Sequence, residues 1–289
     1  MQNIKVIVAY HKKDRLFRNP ILFPLHLGRD LALERHKDGK MSQEDFEWLI
    51  ESMPGDNSGE NISSKNRYLN EMTGIYWAWK NYDKLGNPEY IGLNHYRRYF
   101  KLNYSNLDKN LQKYDFVCLS KPAFSEGVLK EWPLCARINN LDINEFDKLC
   151  TIYQNMYNDD YATFMEYVQG KNAGGLMNLF IMPKDKFFEY CNWIFPLLFK
   201  LEEEVSKDNR GIGMIAERLT SYYLWKLEKQ GMKPLKASIS YAPPSLSLGY
   251  LVSQFFSVKK RIKTNGQEHC EITLCGLKLN IKLKEAKIV

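Results

Sequence analysis

The residues of this chain whose types and spacing point most directly to chemistry lie in one heptapeptide, Asn94-His95-Tyr96-Arg97-Arg98-Tyr99-Phe100. Guanidinium forks take phosphate oxygens in pairs and a neighbouring histidine adds a donor, so His95, Arg97 and Arg98 suit a diphosphate. The run follows directly on Tyr90-Ile91-Gly92-Leu93, which reads as a buried strand. Residues just past a strand's carboxyl end face the ligand crevice of an open α/β sheet, and this position favours a ligand role over surface ion pairing.

A second constellation runs from Asp56 to Lys80, DNSGENISSKNRYLNEMTGIYWAWK. A loop rich in Gly, Asn and Ser that leads into a helix N-terminus offers free amides and a positive dipole end to a phosphate or sugar, although a plain capped surface loop has the same composition. Asn61, Ser63, Lys65, Asn66 and Glu71 are its candidate binding residues. Adjacent helical positions lie about 100° apart, so Tyr76, Trp77 and Trp79 cannot share one face, which leaves a ring, with Trp77 the candidate, to stack on a base or sugar. The third constellation, Arg210-Gly211-Ile212-Gly213-Met214-Ile215-Ala216-Glu217-Arg218-Leu219, opens a helix after a glycine-bearing loop. Glu217 is the candidate general base, with Arg210 and Arg218 beside it. Glu71, Asp159 and Asp160 are its rivals, and dipole complementation is the plainer use of a carboxylate there. No GxSxG, HExxH or Walker-type run is present.

The elements that must position these residues alternate. Ile4–Tyr10 is a continuous apolar, β-branched run, the mark of a strand buried on both faces, and its end places Tyr10 and His11 at the ligand edge. Met41–Met53 has helical periodicity with Ser42 as N-cap. A second helix is expected from Ser63 or Ser64 to Tyr82, and further strands at 115–119 and 176–182. Helices are expected at 143–155, 161–168, 184–201 and 212–229. The order predicts an α/β fold with a mainly parallel sheet. After Asn265-Gly266, period-two alternation around Gly276 predicts a C-terminal β-hairpin. The expected division is a catalytic domain over 1–250 and a basic tail with hairpin over 251–289.

Composition bounds the reading. A formal net charge of +7 over 289 residues favours an anionic partner, but the basic residues are scattered and nucleic acid is not among the expected partners. There is no signal-peptide pattern and no run long enough to span a bilayer, which predicts a cytoplasmic protein. The cysteines form no CxxC pair, which predicts free thiols.

Four segments carry a resemblance to a known family: IKVIVAYHK; GENISSKNRYLNEMTGIYWAWKN, residues 59–81; YIGLNHYRRYF, residues 90–100; and NLFIMPKDKFFEYCNWIFPLL together with AERL. The chain resembles a bacterial family long carried as a domain of unknown function, found in capsule and exopolysaccharide gene clusters and associated with galactofuranosyltransferase activity. The resemblance implies a GT-A-like, Rossmann-type nucleotide-sugar domain, a UDP-sugar donor such as UDP-galactofuranose, a lipid-linked glycan acceptor and inversion at the transferred sugar. Its family-like positions are Asn61, Ser63, Asn66, Glu71, Trp77, Trp79, Lys80, His95, Arg97, Arg98, Asn178, Glu217 and Arg218. Glu60 stands where the family often has Asp, and Asn70-Glu71-Met72-Thr73 where it has Cys-Glu-Leu-Thr.

Such an enzyme must stabilise the departing diphosphate, and many use a metal held by an Asp-x-Asp pair. No such pair occurs here, so no metal or other cofactor is expected and the HYRR cations are expected in its place. Leu251, Phe255 and Phe256 ahead of Lys259, Lys260, Arg261 and Lys263 suggest peripheral contact with an anionic membrane at the inner face of the cell, while the hairpin could instead join two copies in a homodimer. The alternative class is a non-catalytic glycan-binding or scaffold module.

Overall fold

The computed structural model describes residues 3–17, 19–36, 39–120, 126–171, 176–207, 209–241, 256–262, 268–274 and 277–282, with backbone alone for 35, 36, 39 and the last three segments. The chain divides into two compact units, Met1–Ala242 and Pro243–Val289.

In the first unit, strands β1 (Ile4–Tyr10) and β2 (Leu22–His26) precede the two-residue strands β3 (Arg35–His36) and β4 (Gly39–Lys40). Helices α1 (Gln43–Ser52), α2 (Asn66–Leu69) and α3 (Met72–Lys80) follow, then β5 (Tyr90–His95), β6 (Arg98–Phe100), α4 (Leu107–Leu111) and β7 (Phe116–Leu119). Helices α5 (Val128–Asn139), α6 (Glu145–Met156) and α7 (Asn158–Gln169) lead to β8 (Phe180–Pro183), α8 (Lys184–Glu204) and α9 (Gly211–Lys229). Strands β9 (Pro234–Ala237) and β10 (Ile239–Tyr241) close the unit.

The main sheet runs β2-β1-β5-β8-β7-β9, with β6 and β10 continuing from the end of β5 at the His95↔Arg98 pair. β1 is parallel to β2 and β5, and β7 is parallel to β9. Because β8 is antiparallel to both β5 and β7, the other five strands of this run point one way. Along β1 the side chains alternate. Ile7 and Ala9 join the core formed with α3, α8 and α9, whereas Ile4, Val6, Val8 and Tyr10 join the clusters formed with α4 and α1. Both faces are therefore covered, which is why this strand reads as apolar sequence broken only by Lys5, whose ammonium reaches the Pro20 carbonyl.

Local sequence accounts for the element boundaries. Ser42 caps α1 as expected, its side chain accepting the Asp45 N–H at 3.1 Å. Edge strand β2 accommodates Pro24, which needs no ladder donor on its open side. The helix expected from Ser63 to Tyr82 is instead broken. A 3₁₀ turn at Ser63–Lys65 and α2 end at Asn70, whose φ of 52° and ψ of −133° no helix contains, and α3 begins afresh. Neither serine caps this stretch with its side chain. The strand expected from residue 176 starts only at Phe180, because Met177 and Asn178 have φ of 83° and 51°.

The second unit contains β11 (Phe256–Ile262), β12 (Glu268–Leu274) and β13 (Leu277–Lys282) in an antiparallel meander. The expected hairpin is its β12–β13 half, joined across Leu274↔Leu277. The segment read as a basic membrane-docking tail is in part strand β11, with Lys259 opposite Glu271. Leu251, Phe255, Lys263, Asn265, Gly266 and Gly276 lie outside the described residues. Among the described residues no helix is long and apolar enough to cross a membrane.

Candidate functional site

The carboxyl ends of β1, β2 and β5 form one edge, extended by bonds from Leu27 N–H to the Tyr10 carbonyl at 2.8 Å and from Tyr96 N–H to that of Ala9 at 3.1 Å. Tyr10 itself is fully buried, its hydroxyl donating to the Arg15 carbonyl at 3.0 Å, so it supports the edge from within. His11 is exposed, edge-on to Tyr96 with ring centroids 5.0 Å apart. His26 is buried at the end of β2, where burial and then the Arg29 and His11 charges push its pKa down to about 3. The neutral ring accepts the Arg29 Nε–H at 3.0 Å.

The loop expected to cradle a phosphate is built around an internal carboxylate. Buried Asp56 accepts from the backbone N–H groups of Gly28 at 2.9 Å and Arg29 at 3.2 Å, and from the hydroxyls of Ser63 at 2.5 Å and Thr73 at 2.6 Å. Asn61 accepts the Ser63 N–H, and Asn66 donates to Thr73 and to the Asn70 carbonyl. Gly28 needs its φ of 63° and its missing side chain, since a Cβ there would come within 2.6 Å of the Asn66 side chain. Lys65 pairs with Glu202 at 2.8 Å. Asn61, Ser63, Lys65 and Asn66 are thus all engaged within the protein. The aromatic rings of α3 are packed too: Trp77 is buried with its indole N–H on the Ser58 carbonyl, and Trp79 stacks on Phe195 of α8.

The two arginines after β5 have different surroundings. Arg97 bonds through Nε and Nη2 to buried Asp14 at 2.7 and 2.5 Å and lies over the Tyr96 ring. Arg98 is exposed, and among the described residues its guanidinium has no partner.

Beside this edge His95, Glu71, Asn178, Glu217 and Arg210 converge. Asn178 donates from Nδ2 to Glu71 Oε1 at 3.0 Å, and His95 Nε2 lies 3.8 Å from the same oxygen and 2.8 Å from the Met177 carbonyl. Arg210 donates to the Asn70 side chain at 3.0 Å. Burial first, then the Glu71 charge, pushes the Glu217 carboxyl up to about 7, against the opposing effects of Arg218, a Met177 backbone hydrogen bond and Arg210. A carboxyl poised there can take a proton near neutral pH. Asn70, Met177 and Asn178 all carry left-handed φ without being glycine, a strain that concentrates where the surroundings must over-determine geometry. Arg218 points elsewhere: it is buried over the Trp132 ring and donates to the Met214 carbonyl and the Cys135 sulfur.

Sequence reasoning passed over Asp14, Met177 and Thr220 as site-building residues and named Asp56 only as the start of a polar run. Thr220 carried a local signal, its spacing of one turn from Glu217. Among the described residues no three His, Cys, Asp or Glu side chains come together as ligands for a metal ion. A separate groove of about 700 Å³ between α6 and α8, floored by Ile152, Met156 and Phe199, shares no residue with the carboxylate cluster.

No curated protein matches the chain. Its fold is similar to that of the apo structure of WbbM, a bifunctional glycosyltransferase, with a TM-score of 0.68 and 24% sequence identity over 84% of this chain and 46% of the WbbM chain. The chain thus spans about half the length of that protein. A family model matches residues 5–229, the stretch that holds the whole sheet edge and the carboxylate cluster. The chain belongs to the family described as Domain of unknown function (DUF4422).

Proposed function

We propose that the protein is a UDP-sugar-dependent hexosyltransferase that moves galactofuranose or galactose to a lipid-linked glycan during assembly of a bacterial surface polysaccharide. The observation that carries this reading is the cluster in which Glu71 is bonded to Asn178 and faces His95 at the carboxyl end of β5, beside a Glu217 carboxyl that burial and the Glu71 charge push up to about 7. The fold shared with a bifunctional glycosyltransferase supports it. In the proposed reaction Glu217 takes the proton of the acceptor hydroxyl while that oxygen attacks the anomeric carbon from the face opposite UDP. The bond to the diphosphate breaks with its electron pair, UDP departs, and the sugar configuration inverts. Arg98 meets the growing negative charge on the diphosphate, which makes a DxD-held metal unnecessary in this scheme. Arg97, held by Asp14, shapes the turn that presents Arg98. Docking of the basic C-terminal segment on anionic lipid would bring the site to its acceptor.

The test is release of UDP from UDP-galactofuranose and UDP-galactose in the presence of a lipid-linked glycan acceptor, with and without EDTA. Turnover that survives EDTA and yields the inverted anomer is expected. UDP binding without turnover of either donor would leave a glycan-binding module as the better description.

A further inference from the structure

The hydrogen bond of Glu71 leads through Asn178 to α9. Glu71 Oε1 accepts from Asn178 Nδ2, and Asn178 Oδ1 in turn accepts from the Thr220 hydroxyl at 2.5 Å. Thr220 lies 2.7 Å from the hydroxyl of fully buried Tyr190. The Thr220 hydroxyl has one proton and two acceptors in reach, Asn178 Oδ1 at 2.5 Å and the Ala216 carbonyl at 2.9 Å; with Tyr190 donating to Thr220 and the Thr220 proton on the shorter contact, the amide of Asn178 is held with its nitrogen on Glu71, whose carboxylate can only accept. Asn178 and Thr220 are each 1% exposed, so water does not compete for these bonds. Thr220 stands three residues after Glu217 on α9, on the same face one turn away. The chain of bonds that holds Glu71 is therefore anchored beside Glu217.

We propose that Asn178 and Thr220 are positioning residues that hold the Glu71 carboxylate against Glu217, making Glu71 the electrostatic partner of the base and not a contact of the donor. The proposal rests on the reading of Glu217 as the base. The groups acting on Glu217 are Glu71 from the α2–α3 junction, Arg210 at the start of α9, the Met177 backbone and, from its place over the Trp132 ring, the charge of neighbouring Arg218. His95 faces Glu71 from β5. Of these, Glu71 is the one whose negative charge opposes ionisation of Glu217, and its place depends on the amide of Asn178.

The Glu217 midpoint is read without substrate. The full-length protein is labelled with carbon-13 at the glutamate side-chain carboxyls and titrated by NMR, with the Glu217 resonance assigned by its loss in Glu217→Gln and retention of the fold checked by the amide spectrum. Glu71→Gln is expected to lower the Glu217 midpoint from near 7 by about one pH unit. Thr220→Val, which keeps the shape and removes the hydroxyl, shifts it the same way, and Thr220→Ser restores it. An unmoved midpoint in both Glu71→Gln and Thr220→Val overturns the proposal, as does a fall in UDP affinity in Glu71→Gln with no shift. A shifted midpoint in a protein whose Glu217→Gln variant still transfers sugar removes the base assignment itself, so the two readings fail by different signs.

Discussion

Glu217 and Arg98 stand at opposite ends of the proposed proton and charge transfer, and each makes a distinct prediction. Replacing Glu217 by Gln should lower transfer by about 10²- to 10⁴-fold, the usual contribution of a positioned base. In the native protein kcat/KM should rise with pH through about 7, because the proposed reaction uses the ionised carboxylate. The same group sets a stability trend. The folded protein keeps its proton up to about pH 7, whereas an unfolded glutamate releases it near 4.5, so stability falls as pH rises between those values. Glu217→Gln should be the more stable protein at pH 8, by on the order of 1 to 3 kcal/mol, and equal to the native one at pH 4, as thermal melts would show. The arginines separate in a different way. Arg97→Ala takes the guanidinium from the buried Asp14 carboxylate, which keeps only the Arg15 N–H, and should cost about 1 to 3 kcal/mol of stability. Arg98→Ala should melt within about 0.5 kcal/mol of the native protein yet lose transfer. Sequence places the two arginines side by side with equal claims on a phosphate. What distinguishes them is Asp14, 83 positions away, a partner that no local pattern announces.

At the scale of elements, the site depends on a break in a helix. Periodicity alone predicts one helix through residues 63–82, and the interruption at Asn70 turns Glu71 toward α9. Asn70 reaches this conformation against Gly213, where a Cβ would collide with its amide. Gly213→Ala should therefore do more harm than helix propensity predicts, costing about 1 to 3 kcal/mol by overpacking and lowering transfer, as melts and initial rates would show. Elsewhere the strongly periodic elements were legible: β1, α1, β5, α8 and α9 follow from apolar spacing and caps. Helix α5 escaped notice because Pro133 lies inside it, and β2 because of Pro24. The same physics limits reading of the site. Glu71, His95 and Glu217 could each be singled out by residue type and position, but their convergence is a property of the folded sheet. Asn61 and Ser63 show the converse: a polar loop with the composition of a phosphate cradle satisfies its amides and hydroxyls with its own Asp56.

At the scale of the molecule, the two compact units divide at residues 242 and 243. The first contains the main sheet, the helices on both its faces and every candidate site residue, so a chain ending at Ala242 should fold and bind UDP with the affinity of the full-length protein. Calorimetric titration of both chains would check this, and a large loss of affinity would assign the C-terminal strands a part in the site. The reversed strand β8 has a consequence for how the protein comes into being. It fills the gap between β5 and β7, pairing Leu93 with Phe180 and Val117 with Ile181, so the centre of the sheet is completed by a segment made long after its neighbours. During synthesis on the ribosome the edges of β5 and β7 wait unpaired, open to pairing with other chains, until residues 180–183 emerge. Asn178 emerges just ahead of β8 and Glu217 later still, on α9, so the nascent chain carries Glu71 and His95 before the proposed base has been made.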